Sequence, residues 1–217
     1  MASFCKKQAR MTTKNKLALS ICLVLVLEAL IYLWARYTAT LNDGNFFAIQ
    51  PEFIFDKCAR NSGRISSFIN LCILGMFGYL GLKHIYRNSH QKDLFHILIL
   101  LYTTNHLTHF FFVFQNFKHH QMALSISENL HGFITFMFIV AMPIILWSYQ
   151  RLNNFLYILI TLHLFNVSYF IMETFFNKIK TNKPAYHNQF GILVTCMALL
   201  YILYRVVKEN KRNGAME

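Results

Sequence analysis

Charge is what this 217-residue chain has least of. Only 14% of its residues are Asp, Glu, Lys or Arg, against about 25% in an ordinary soluble domain. The deficit lies in long uncharged runs that a soluble core does not need. Acidic residues are scarcer still, nine against 21 Lys and Arg. Several chemistries are missing as well. The five cysteines are scattered with no C-x-x-C pair, which leaves zinc-finger and thioredoxin readings without support. Only Cys58 falls in an expected outer segment, so no outer disulfide partner is evident. There is no H-E-x-x-H pair, no phosphate-binding P-loop and no G-x-S-x-G nucleophile elbow. Low-complexity stretches and repeats are absent, and no symmetric halves or paired broken helices point to a transporter.

What is present is apolar: 55% of the chain is hydrophobic. A helix needs about 20 mostly apolar residues to cross roughly 30 Å of hydrocarbon. The runs 17–35, 65–83, 94–117, 130–149, 153–176 and 188–208 meet that requirement. They predict an all-α, polytopic transmembrane bundle of six helices. The expected division is a cytoplasmic N-terminal tail over 1–16, a six-helix transmembrane domain over 17–208, and a cytoplasmic C-terminal tail over 209–217. The first run is long for a signal-peptide core and is followed by no clear small-residue cleavage site, so it reads as an uncleaved anchor. The longest connection is expected over 36–64, with a turn at Asn42-Asp43-Gly44. Pro143 falls inside the fourth span, tolerable if a neighbouring helix satisfies the carbonyl it frees. Gly75, Gly78 and Gly81 read as small residues for close helix packing.

The net charge of +12 has the sign that nucleic acid attracts, but the basic residues sit in short loops and tails. There they serve topology, since Lys and Arg favour the cytoplasmic side. With the N-terminus inside, thirteen of the 21 basic residues fall on inner segments and eight on outer ones. This predicts a multi-pass protein of the plasma (inner) membrane with both termini cytoplasmic, a lipid-bilayer partner and no nucleic-acid partner.

Ionisable and amide side chains inside the spans carry the functional signal, because a charged group at the centre of a span costs about 2.5–3.5 kcal/mol on insertion scales. On span three, Tyr102, Asn105, His106 and His109 are spaced i, i+3, i+4 and i+7 and share one face. On span five, His163, Asn166 and Glu173 do the same. His106 and His163 fall at depths roughly 3 Å apart at 1.5 Å per residue. Hydrogen bonding between helices is the plain reading of such residues. The sharper reading is that neutral imidazoles on facing helices hold a cofactor, as bundle cores often do. That makes His106, His109 and His163 candidate cofactor ligands, with His106 and His163 the pair for a metal. Glu28, Asn105, Asn166 and Glu173 are then candidate proton carriers or hydrogen-bond partners of the ligands. His131 and His187 open spans four and six and form a candidate outer site.

Gly63-Arg64 at the opening of span two, the stretch Tyr102–Phe110 in span three and Leu162-His163 in span five resemble the ferric-reductase-like transmembrane family. That family includes the haem subunit supplying electrons to periplasmic methionine sulfoxide reductase. The resemblance covers about residues 63–208. It implies haem b, electron passage across or within the membrane as an oxidoreductase subunit, and a redox partner protein or a quinone. Span five carries His163 alone; where the family has a second ligand nearer the start of that helix, this chain has residues such as Gln150 and Asn153. No flavin or NADPH domain follows, so the electron source is expected to be separate. Two alternatives remain open. One is a metal-dependent intramembrane enzyme acting on lipid, with zinc or iron on the three histidines and Glu28 or Glu173 as acid/base. The other is a non-catalytic membrane scaffold or transporter subunit.

Overall fold

The computed structural model describes residues 12–43, 51–121, 129–149, 151–180 and 186–214. Among the described residues there are seven helices and no strand: α1 (Thr13–Asp43), α2 (Pro51–Leu80), α3 (Leu82–Arg87), α4 (Ser89–His119), α5 (Leu130–Ser148), α6 (Asn154–Lys180) and α7 (Tyr186–Gly214). All but the six-residue α3 are long and apolar enough to cross a membrane. The chain is thus an all-α polytopic membrane bundle. Its lipid-facing surface is apolar, with Leu23, Leu25, Val26, Leu30 and Trp34 of α1 all exposed.

The expected long connection over 36–64 is corrected. α1 continues to Asp43 and α2 already begins at Pro51, so most of that stretch is helix. Asn42 and Asp43 of the expected turn are the last residues of α1, and Gly44 lies outside the described residues. At 1.5 Å per residue, α1, α2 and α4 run about 45 Å each, some 15 Å beyond the hydrocarbon thickness. The end of α1, the start of α2 and the end of α4 stand together at one end of the bundle. There the three helices share a second small core of Ile31, Ala35, Ala39, Ile54, Cys58 and Phe112. Phe55 stacks on His119 with ring centroids 5.4 Å apart, and Lys57 donates to Thr38 Oγ1 at 3.1 Å. Among the described residues, this apolar core with a few polar ties holds the stretch in helix. At the other end α1 starts at Thr13 and α7 runs to Gly214.

α2 is the hub. It packs on α1, α4, α6 and α7, while α4, α5, α6 and α7 pack in sequence around it, closing a ring of five with α1 in the groove between α2 and α4. One buried cluster fills the ring, including Phe77, Tyr102, Ile139, Leu164 and Ile202. Polar ties cross it. Asn105 Nδ2 donates to Ser62 O at 3.1 Å and Ser66 Oγ at 2.8 Å, and Asn70 Nδ2 to Ser168 Oγ at 3.2 Å. Such bonds between membrane helices contribute about 0.6 kcal/mol each.

Helix ends follow local chemistry. Asn88 caps α4 by accepting from the backbone N–H of His90 and Gln91, and Asn153 accepts from Leu156 N at 2.7 Å at the start of α6. α2 stops at Gly81, whose φ of 81° and ψ of 146° lie in a region open essentially to glycine alone. Arg205 of α7 then donates to the last carbonyls of α2, Tyr79 O at 3.0 Å and Leu80 O at 2.6 Å. The three glycines of α2 and its end divide their roles. A β-carbon at Gly78 would stand 2.6 Å from Tyr201, whereas one at Gly75 would meet nothing. Close packing therefore holds for Gly78, and Gly75 does not contribute to it.

Candidate functional site

The polar face of α4 is shared between two neighbours. Asn105 is fully buried and bonded to α2 as above. One turn on, the ring of His109 lies over Gly63 of α2, where a β-carbon would come within 3.1 Å of Cε1. His106 turns toward α5: its ring stacks on Tyr102 at 5.6 Å and sits 6.4 Å from Phe136. The two imidazoles are 5.4 Å apart, centroid to centroid. The Nδ1 atom of His106 is sealed from solvent and has no hydrogen-bond partner.

Beside these histidines lies a cavity of about 170 Å³ between α4, α5 and α6. Phe110, Phe117, Phe133, Phe136 and Phe170 form its walls, with Asn129 and Gly132 completing it. Phe110 and Phe136 stack at 4.7 Å. An apolar, aromatic hollow with a few polar groups is the usual form of a small-molecule site, but those of drug-sized ligands run about 300–1,000 Å³. A cavity of about 150 Å³ takes a benzene ring. This one is thus sized for a single ring.

The polar stripe of α6 faces α5 rather than α4. His131 Nδ1 stands 2.9 Å from Glu173 Oε2, and its Nε2 is 3.4 Å from Asn166 Oδ1. Asn166 Nδ2 in turn donates to Thr135 Oγ1 at 3.0 Å. This chain runs along the α5–α6 seam next to Phe170, on the flank of the cavity. The residues that sequence reasoning missed are Thr135 and the phenylalanines. The signal was there: His131 and Thr135 at i, i+4 on α5 match Asn166 and Glu173 at i, i+7 on α6. Of the candidate outer pair, His131 stands against Glu173, and the side chain of His187 lies outside the described residues.

His163 is 1% exposed, and its Nδ1 also lacks a partner. It is not on the cavity wall. Thr103 meets Ile139, and Thr135 meets Asn166, so His163 lies level with Thr103, about 5 Å or one helical turn deeper than His106. Glu28 is 4% exposed on α1, beside Ser62 and Cys58 of α2, and neither of its carboxyl oxygens has a hydrogen-bond partner of good geometry. It is on the other side of α4 from the cavity.

These positions test the cofactors. Haem b held between His106 and His163 needs a broad slot between α4 and α6. α4 packs chiefly on α2 and α1 and α6 chiefly on α7 and α5, and Tyr102, Ile139, Leu164 and Val167 fill the core between them. The open volume beside His106 takes one ring, not four. The residues as arranged do not fit a porphyrin there. For zinc or iron, no three His, Cys, Asp or Glu among the described residues stand together as a metal site, so His106, His109 and His163 do not form a three-ligand set. No protein-family model, curated protein or solved structure matches this chain.

Proposed function

We propose that this integral membrane protein binds a lipophilic molecule with a single flat head ring, of the quinone class, in the cavity between α4, α5 and α6. The observation that carries this reading is His106, whose imidazole lines an aromatic cavity of about 170 Å³ while its Nδ1 is sealed and without a partner. A buried polar group left unsatisfied costs roughly 1–3 kcal/mol. As the Nε2–H tautomer, His106 presents its N–H from the cavity wall to a ring carbonyl, while the phenylalanines stack on the ring. A hydrocarbon tail leaves between α4 and α5 into the bilayer, from which such a ligand arrives. This ligand class carries electrons within membranes, and it keeps the protein in membrane redox chemistry, with a separate redox partner protein.

The test is binding of a benzoquinone bearing a decyl tail to the detergent-purified protein, followed by tryptophan fluorescence. Saturable binding is expected, at least tenfold weaker in His106→Leu. Decylbenzene, which fills the cavity but offers no carbonyl, should bind at least tenfold more weakly than the quinone. Equal binding of the two, or an unaffected His106→Leu, overturns the reading. A Soret absorption band in the purified protein, lost in both His106→Ala and His163→Ala, likewise overturns it, because the arrangement leaves no slot for a porphyrin.

A further inference from the structure

At the end of the bundle that holds the termini, two clefts run together. One, of about 450 Å³, is lined by Lys83, Asn154, Tyr157, Ile158, Leu162 and Val206 among others. The other, of about 420 Å³, is lined by Lys83, Tyr86, Arg87, Arg151, Asn153 and Tyr157 among others. They share Lys83, Asn154 and Tyr157, so they form one groove with two chemistries. Its upper part gathers three cations, and no acidic residue lines it. Its lower part is a stripe of exposed Ile158 and Leu162 with Val206, descending along α6 and α7 into the bilayer. Tyr157 joins the parts. Lys83 Nζ stands 6.0 Å over its ring, and its hydroxyl donates to Glu209 Oε2 at 3.1 Å. The nearest carboxylate is thereby engaged, on the side of Gly81 and Arg205. Among the described residues, none of Lys83, Arg87 and Arg151 forms a salt bridge.

We infer that this groove is a binding site for one anionic phospholipid. The phosphate sits among Lys83, Arg87 and Arg151, and an acyl chain lies along Ile158, Leu162 and Val206. Three uncompensated cations at the membrane surface repel one another unless an anion joins them, and a basic pocket between membrane helices is suited to acidic lipid head groups. Arg151 and Arg87 supply planar forks that grip phosphate oxygens in pairs, and Lys83 adds a point charge. The apolar stripe selects a lipid over a free ion, because an inorganic anion would leave it unused. The volumes also suit a head group with the first part of its chains. The site is separate from the aromatic cavity and does not depend on what fills that cavity.

The experiment measures the thermal midpoint of the full-length protein in mixed micelles against added lipid. Phosphatidylglycerol should raise it saturably; phosphatidylcholine and inorganic phosphate at the same concentrations should not. Arg87→Gln/Arg151→Gln, both exposed positions, should need at least tenfold more phosphatidylglycerol for the same rise. A control, Arg64→Gln/Lys118→Gln, removes the same charge from exposed positions elsewhere and should respond like the parent. An equal response to phosphatidylcholine, saturation by phosphate alone, an unaffected Arg87/Arg151 variant, or an equally weakened control each overturns the inference.

Discussion

Thr103 of α4 donates its hydroxyl to the carbonyl of Ile139 on α5 at 3.0 Å, and Ile139 is the residue whose carbonyl Pro143 leaves free. Inside a helix, proline removes the N–H that would bond four residues back. In hydrocarbon there is no water to take its place, so a neighbouring helix must. Thr103 is 6% exposed and Pro143 is buried, which makes this bond the internal solution to a proline in a membrane span.

A double-mutant cycle tests that account. Thr103→Val should destabilise the protein by about 1–2 kcal/mol, since it leaves a buried carbonyl unpaired. Pro143→Ala restores the N–H within α5, so Thr103→Val in that background should cost clearly less. Thermal or denaturant unfolding in detergent measures both. Equal costs in the two backgrounds would show that Thr103 does not serve the proline's carbonyl.

The turn from α2 into α3 gives a second test. Gly81 has a φ of 81° and ψ of 146°, and a β-carbon there would run into Glu209 and crowd Arg205. Gly81→Ala should lower stability by about 1–3 kcal/mol from the backbone conformation alone. It should also disturb the Arg205 bonds that cap α2. Gly75→Ala is the matched control, with open space around it, and should be neutral or slightly stabilising through helix propensity. Equal effects at the two positions would refute the assignment.

Topology is open to labelling. The basic bias of thirteen to eight predicts both termini in the cytoplasm. With the native cysteines replaced, a cysteine at Asn213 should resist an impermeant maleimide in intact cells and react after lysis. A cysteine at Lys118, at the opposite end of α4, should react from outside. Labelling at position 213 from outside reverses the orientation.

The sequence by itself determined the architecture. Long uncharged runs have no stable place except the bilayer, so the number and type of the spans and the central limits of each were legible from composition. Hydropathy says nothing, however, of helix that leaves the bilayer. That is why residues 36–64 read as a connection, when α1 runs on to Asp43 and α2 already starts at Pro51 on a small core shared with α4. The candidate site was legible as faces and not as partners. Periodicity put Asn105, His106 and His109 on one side of α4, and His163, Asn166 and Glu173 on one side of α6. Which neighbour each side chain meets depends on helix rotation and on the order of helices around the ring, which packing sets and sequence spacing cannot. Only the tertiary structure turned Asn105 and His109 to α2, gave Asn166 and Glu173 to Thr135 and His131 of α5, and left His106 facing a hollow sized for one ring. The reason is geometric: a face of a helix is wide enough to touch two neighbours, so one stripe of polar residues divides between them.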